Sequence, residues 1–181
     1  MARPPVSEIG KMIVVKPTSR RHAAVALACL IACGSVAALA APGDMEAITK
    51  ASDLDRDPAD AKAIATVCTA CHSASQFLTA SRPYLRWEQT IQDMLDRGAV
   101  ATDDQLDHVL SYLVKNITIV NVNTSPPDQL GMTLQIPSAV AEEIVAKRAA
   151  HAFTNLDELK AVKGINLDVL QKLKAKGLLQ F

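Results

Sequence analysis

Residues 68–72 have the sequence Cys-Thr-Ala-Cys-His, and this pentapeptide decides how the first half of the chain is interpreted. Cys-x-x-Cys-His is the sequence to which a c-type haem is attached. In such a site Cys68 and Cys71 form thioethers with the haem vinyl groups, and the adjacent His72 supplies the proximal imidazole ligand of the iron. The sequence therefore predicts one covalently bound haem c.

Two other uses of a Cys-x-x-Cys pair lack their usual partners here. A structural zinc site needs two more Cys or His ligands at suitable spacing, and downstream only His108 and His151 remain, far apart from each other. A thioredoxin-like redox site is typical of a strand-helix-strand context, which the neighbouring sequence does not show. Haem attachment is the interpretation that the residues favour.

The first forty residues have the features of an export signal. Two arginines precede an apolar run, residues 23–40, which is short for a membrane span and ends in the small-x-small pattern Ala38-Leu39-Ala40. We therefore assign residues 1–40 to a signal peptide and expect a periplasmic protein. An alternative is that Leu30-Ile31-Ala32-Cys33, which resembles a bacterial lipobox, leaves Cys33 as a lipid anchor on a membrane.

After removal of the signal peptide, the soluble chain keeps no cysteine outside the haem motif. No disulfide is expected, and a covalent cofactor would stabilise the domain instead. The remaining chain of about 140 residues is long enough for one ordinary domain or two small ones. We assign residues 41–54 to a linker, residues 55–116 to a haem domain and residues 117–181 to a second helical domain.

Hydrophobic periodicity predicts three helices around the haem motif. Their apolar residues recur on one face, and each helix has a plausible cap or stop signal. The predicted helices are 58–67, capped by Asp57 or Asp60, 87–95, closed by Gly98, and 103–114, capped by Thr102.

The first domain resembles the small class I cytochromes c. After the haem motif the family's elements follow in order: Arg82, Trp87, Met94, Gly98-Ala99, Thr102-Asp103 and Tyr112-Leu113. The resemblance implies an all-α cytochrome c fold in which the first and last helices cross beside the haem. It also implies that a methionine sulfur completes the coordination of the iron.

Met94 is the expected sixth ligand, because it lies between His72 and the last helix, as the family's order requires. The alternatives are that Met94 is a packing residue of its helix, that His108, Met132 or Met45 binds the iron, or that the sixth position is open. A thioether ligand raises the reduction potential of a haem, and a six-coordinate iron has no site for a substrate. We therefore expect an electron carrier rather than an enzyme.

The second domain begins with Val120-Asn121-Val122-Asn123-Thr124 and continues with four short predicted helices. The first starts in Pro126-Pro127 with Thr124 or Ser125 as cap; the others are 138–150, 156–162 with Thr154 or Asn155 as cap, and 167–176, ended by Gly177. This pattern resembles the helix-hairpin-helix domain of the competence DNA receptor ComEA. The resemblance implies an all-α module with two hairpins, and in DNA-binding members each hairpin places two glycines where the backbone meets a phosphate.

Both hairpins depart from that DNA-binding pattern. The first has Gln135-Ile136-Pro137 in place of Gly-apolar-Gly, and proline has no N–H to donate. The second keeps Gly164 but has Asn166 in place of the second glycine, and Asn tolerates positive φ. It also has Asp168 near the position at which the DNA-binding members have a lysine. Residues 117–181 contain seven basic and six acidic residues, and a net charge of about one positive is poor for a nucleic-acid footprint. We expect a docking module rather than a DNA-binding one.

Two functions follow from the sequence. The first is a periplasmic one-electron carrier with a His72/Met94 haem, between a redox donor and an acceptor that the sequence does not identify. In this carrier Arg82 and Arg86 are candidates to pair with the haem propionates. The alternative is an envelope DNA- or protein-binding helix-hairpin-helix protein in which the haem is structural or sensory.

Overall fold

The computed structural model describes residues 42–181, which belong to one compact unit. The predicted signal peptide and Cys33 lie outside these residues. The described elements are α1 Pro42–Ala51, α2 Pro58–Cys68, α3 Ser75–Leu78, β1 Arg82–Pro83, α4 Tyr84–Asp96, α5 Asp103–Ile117, β2 Thr118–Asn121, α6 Pro127–Leu134, α7 Ser138–Ala150, α8 Leu156–Lys160, α9 Leu167–Ala175 and β3 Leu179–Gln180. The predicted all-α class is confirmed. Within residues 42–181, no helix combines the length and the apolar character that a bilayer span requires.

Local capping chemistry starts three of the helices where the sequence predicts. Asp57 accepts a hydrogen bond from the N–H of Ala59 at 2.8 Å and caps α2. Thr102 and Gln105 form a reciprocal capping box at the start of α5. Asn155 caps α8 by accepting bonds from two of its backbone N–H groups, each at 3.0 Å. These ends need only neighbouring residues, which explains why the sequence shows them.

The structure corrects the assignment of residues 41–54 to a linker, because residues 42–51 form α1. Ile48 is completely buried in the core of the first half, and its carbonyl accepts a hydrogen bond from the hydroxyl of Tyr112 at 2.8 Å. Leu54, just after α1, is also buried. Among residues 44–51 of this helix, Ile48 is the only large side chain that is buried, so the sequence shows no periodic apolar face there.

Two cores lie within this unit. The first is built mainly by α1, α2, α4 and α5 and contains Ile48, Ile64, Phe77, Trp87, Val109, Tyr112 and Leu113. Here α2 packs on α5, the two helices that the cytochrome resemblance places together. The second core contains Val120, Val122, Leu130, Leu134, Ile144, Leu159, Leu170 and Leu173 from β2 and the following helices, together with Leu54 from the first half.

A small parallel sheet in the order β1-β2-β3 connects the two halves. Arg82 of β1 is in register with Thr118 of β2, and Val120 of β2 is in register with Leu179 of β3. The β-branched run that the sequence places between the domains is the middle strand of this sheet. Its alternate side chains, Thr118 and Val120, are buried, as expected for a strand with one covered face.

Polar contacts add to this connection. The side-chain amide of Gln135 donates to the carbonyl of Leu54 at 3.1 Å. Lys176 donates to the carbonyls of Ala51, at 3.0 Å, and Asn116, at 3.4 Å, and it pairs with Asp53. The lysine lies near the carboxyl ends of α1 and α5, where a positive charge is favourable. The C-terminal half therefore packs directly on the first half.

Candidate functional site

The haem motif lies at the end of α2 and in the turn that follows it. Cys68 is the last residue of α2 and packs partly buried against the first core, whereas Cys71 is exposed. Both are free thiols, and burial raises the pKa of Cys68 to about 12. Within residues 42–181, no three Cys, His, Asp or Glu side chains form a group suited to a metal ion. The two thiols and His72 lie at the end of α2 and in the turn that follows it.

His72 is oriented by its own backbone. Its Nδ1 lies 3.3 Å from the carbonyl oxygen of Ser73. Because a carbonyl only accepts, this contact assigns the proton to Nδ1 and leaves the lone pair on Nε2. The ring meets Phe77 edge-on, with 6.3 Å between the ring centroids. The half-buried imidazole therefore has the tautomer that a metal ligand of the Nε2 type needs.

Met94 lies in the last turns of α4 and is half-buried. Its carbonyl accepts bonds from the N–H groups of Arg97, at 3.2 Å, and Ala99, at 2.9 Å, and Gly98 has a φ of 96° that ends the helix. Unlike Ile91, one turn earlier, Met94 is absent from both core clusters of the described residues. Its thioether is therefore not used for core packing.

His108, one of the alternative iron ligands, forms a hydrogen bond with a carboxylate. Its Nδ1 lies 2.7 Å from Oδ1 of Asp60, a residue of α2 that is 2 % exposed. The other carboxylate oxygen accepts a bond from the hydroxyl of Ser111 at 2.6 Å. Asp60, the alternative cap of α2, therefore binds two residues of α5 instead. The hydrogen bond between His108 and Asp60 raises the pKa of His108.

The other two methionines line separate surface grooves. Met132 of α6 is 40 % exposed and lies in a groove with Asp107 and Leu110 of α5. Met45 of α1 is 38 % exposed and lines a groove with Arg56. Neither groove includes a residue of the haem motif.

Trp87 and Arg82 form the second polar feature of the first half. Trp87 is 1 % exposed, and its Nε1–H finds no hydrogen-bond acceptor among the described residues. The guanidinium of Arg82 lies 5.1 Å from the centre of the Trp87 ring and donates to Thr90 at 2.6 Å. A carboxylate would satisfy both the indole and the guanidinium. Arg86 instead bonds Gln89 on the surface.

The two asparagines of the Val-Asn-Val-Asn-Thr segment bind the backbone of neighbouring and distant residues. Asn121 accepts bonds from the N–H groups of Asn123, at 2.9 Å, and Thr124, at 3.0 Å. The side-chain amide of Asn123 exchanges two hydrogen bonds with the backbone of Phe153, at 2.8 and 2.9 Å. The predicted cap at Thr124 or Ser125 is wrong, because α6 has Pro126 at its N-cap and no side-chain cap.

The first hairpin, Gln135 to Pro137, is turned towards the rest of the protein. Gln135 has φ 53° and ψ 51°, the left-handed conformation usually taken by glycine. Its side chain binds Leu54, as described above, and Ile136 is buried. Pro137 supplies no N–H at the start of α7. This hairpin has replaced the donors of a phosphate site with an intramolecular contact.

The second hairpin keeps its glycine for two reasons. Gly164 has a φ of 87°, and a Cβ there would lie 3.0 Å from the side chain of Val140. Asn166, in contrast, has a φ of −85° and caps α9 by accepting the N–H of Val169 at 3.2 Å. The expectation that Asn166 is tolerated for a positive φ is therefore wrong; it already occupies a donor at the helix N-terminus.

Most lysines of the second half are paired with acidic residues. The pairs are Lys147–Glu143 at 2.8 Å, Lys160–Asp157 at 3.0 Å, Lys172–Asp168 at 2.7 Å and Lys176–Asp53. Within the described part of the chain, Lys163 and Lys174 have no such partner. Two unpaired lysines give little of the positive field on which nucleic-acid binding depends.

Comparison with known proteins finds a similarity for the second half. Residues 115–176, about a third of the chain, match the family model described as the helix-hairpin-helix motif. Neither the curated proteins nor the solved structures give a match. The match begins at the end of α5 and does not reach the haem motif, so the resemblance of the first half to cytochromes c stays a prediction. The C-terminal part of this chain is therefore similar to the helix-hairpin-helix motif.

Proposed function

We propose that this protein is a c-type cytochrome of the bacterial envelope that carries one electron at a time and docks on a protein partner through its helix-hairpin-helix domain. The observation that carries the proposal is the buried, unpaired Nε1–H of Trp87 beside Arg82. It occurs in the same half as the Cys68–His72 motif. A buried donor without an acceptor costs about 1–3 kcal/mol, and a haem propionate would remove that cost.

Six residues of the first half have a defined part in this proposal. Cys68 and Cys71 would hold a haem through thioethers, and His72, through Nε2, and Met94, through its neutral sulfur, would hold the iron. Arg82 and Trp87 would bind a propionate and exclude water from it. The haem, when bound, would supply the one-electron iron couple. With His72 and Met94 both holding the iron, no position on it would be left for a substrate.

The hairpins favour a protein partner over DNA. In the first hairpin Pro137 has no N–H to donate, and the side chain of Gln135 is bound to the carbonyl of Leu54. In the second, Asn166 caps α9, and Asp168 holds Lys172 at 2.7 Å. A phosphate would have to displace these contacts, whereas a protein surface need not.

The spectrum of the periplasmic protein, produced with a cytochrome c maturation system, tests the carrier. We expect one haem that denaturation does not release, a low-spin ferrous spectrum and a ferric methionine-to-iron band near the red edge. Met94→Ala should abolish that band. His108→Ala and Met132→Ala are the matched controls and should keep it. A high-spin ferric spectrum of the unchanged protein would rule out the carrier.

A second candidate rests on the family match itself, which supports a binding function and does not bear on the haem. In this candidate the protein binds DNA or an envelope protein, and the haem is structural or sensory. Titration of duplex DNA with the full chain at increasing salt separates the two. We expect no specific complex. A salt-dependent complex that Lys163→Ala and Lys174→Ala weaken would favour the second candidate over protein docking.

A further inference from the structure

We propose that Asp44 of α1 is a positioning residue for His72 and that it acts through the peptide group between Ser73 and Ala74. This inference rests on the proposed binding of a haem iron by His72. It adds a residue 28 positions upstream, from a segment that the sequence assigns to a linker.

Two hydrogen bonds join Asp44 to His72 through a single peptide group. Oδ1 of Asp44 accepts the N–H of Ala74 at 2.8 Å. The carbonyl of Ser73, on the other side of the same peptide bond, lies 3.3 Å from Nδ1 of His72. Ala74 is fully buried and the bond to the carboxylate is part-buried, so competing water has limited access to it. The carboxylate and the imidazole are therefore the two ends of one hydrogen-bonded chain.

Both ends of this chain are fixed by packing. On the α1 side, Ile48 is completely buried, and its carbonyl accepts the hydroxyl of Tyr112 at 2.8 Å. On the α3 side, the carbonyl of Ser73 also accepts the N–H of Gln76 at 3.2 Å. Asp44 lies one turn before Ile48 in the same helix. The carboxylate is thus held against the loop rather than placed there by chance rotation.

The charge of Asp44 changes what the chain does. A carboxylate that accepts an N–H polarises the peptide, and the carbonyl becomes a stronger acceptor for the next donor. The Nδ1–H bond of His72 is then strengthened, and Nε2 becomes more electron-rich. Carboxylates that orient metal-binding histidines directly have the same effect on ligand basicity. A more basic imidazole favours ferric over ferrous iron, opposite in direction to the effect of a methionine ligand.

The test compares Asp44→Asn with Glu46→Gln in the haem-loaded full chain. Asparagine keeps the acceptor oxygen and removes the charge. Glu46 is an exposed carboxylate of the same helix, so its change controls for the loss of one negative charge. We expect Asp44→Asn to raise the ferrous-to-ferric ratio at a fixed solution potential about threefold, or about 30 mV for one electron, and Glu46→Gln to raise it clearly less.

Exchange of the Ala74 amide proton with deuterium gives an independent readout. Protection should persist in Asp44→Asn and be lost in Asp44→Ala. Equal redox shifts in Asp44→Asn and Glu46→Gln, or no shift in Asp44→Asn, would overturn the positioning role. A chain that carries no thioether-linked haem by mass spectrometry would refute the proposed function instead, so the two failures are distinguishable.

Discussion

Asp60 shows how a single carboxylate can join two helices at the level of residues. It is 2 % exposed, and its two carboxylate oxygens accept hydrogen bonds from His108 and Ser111 of α5, at 2.7 and 2.6 Å. Lys115 lies 3.6 Å away and binds Asp55 at 2.6 Å. A buried carboxylate is tolerated only with such partners, because an unpaired buried charge is costly. The packing of α2 on α5 therefore has a polar fixing point close to the start of α2.

The pH dependence of stability should report this contact. The hydrogen bond that His108 donates to Asp60 raises the pKa of His108 above its ordinary value of 6.5. A raised folded-state pKa means that the added stability is fully present below the unfolded-state pKa and is lost as pH rises through the folded-state pKa. Nearby Asp57 and Asp104 act in the same direction.

We therefore expect the difference in urea midpoint between the unchanged protein and His108→Gln to be largest below pH 6.5 and to shrink at higher pH. His151→Gln, at an exposed histidine, is the control and should show little pH-dependent difference. A His108→Gln difference that stays constant from pH 5 to pH 9 would contradict the assignment. Denaturation followed by far-UV circular dichroism at each pH is sufficient for the measurement.

The second hairpin offers a test at the level of elements, because two glycines differ in one respect. Gly164 and Gly177 both have positive φ, 87° and 70°. A Cβ at Gly164 would lie 3.0 Å from Val140, whereas one at Gly177 would meet no atom within 4 Å. An alanine at either position would therefore have the conformational penalty of an L-residue at positive φ. Only an alanine at position 164 would also meet a steric penalty.

We expect Gly177→Ala to lower the free energy of unfolding by about 1 kcal/mol, and Gly164→Ala to lower it by about 2 kcal/mol or more. Chemical denaturation of the full chain measures both. Equal losses would mean that Val140 gives way easily and that the contact between Val140 of α7 and Gly164 of the second hairpin is loosely packed.

The elements themselves were predictable where the signal is local. The start and end of α7 coincide with the predicted helix 138–150, and the caps at Asp57, Thr102 and Asn155 depend only on adjacent N–H groups. The haem motif and the glycine of the second hairpin are local signals of the same kind. In contrast, the bond from Asp44 to Ala74 and the orphaned Nε1 of Trp87 depend on contacts between distant segments. No pattern in the sequence specifies these.

At the level of the whole molecule, the two cores are linked closely enough to respond to each other. Leu54 contributes to the second core from the first half. Asn116, 1 % exposed, bonds both backbone groups of Asp55 at 3.1 and 3.2 Å. Lys176 and Gln135 of the second half bind the same stretch, residues 51–55. The segment between α1 and α2 is therefore shared by both halves, and we expect them to unfold together.

Trp87 makes this expectation measurable, because it is the single tryptophan of the chain and lies in the first core. Leu170 of α9 is 1 % exposed in the second core, and Leu170→Ala should cost about 2–5 kcal/mol. Leu167→Ala, at a residue of the same helix that is 49 % exposed, is the control and should cost much less. In Leu170→Ala the denaturation midpoint seen by Trp87 fluorescence should fall together with that seen by far-UV circular dichroism. An unchanged Trp87 midpoint beside an early circular-dichroism transition would show that the C-terminal half unfolds on its own. The shared segment would then be a contact without energetic coupling.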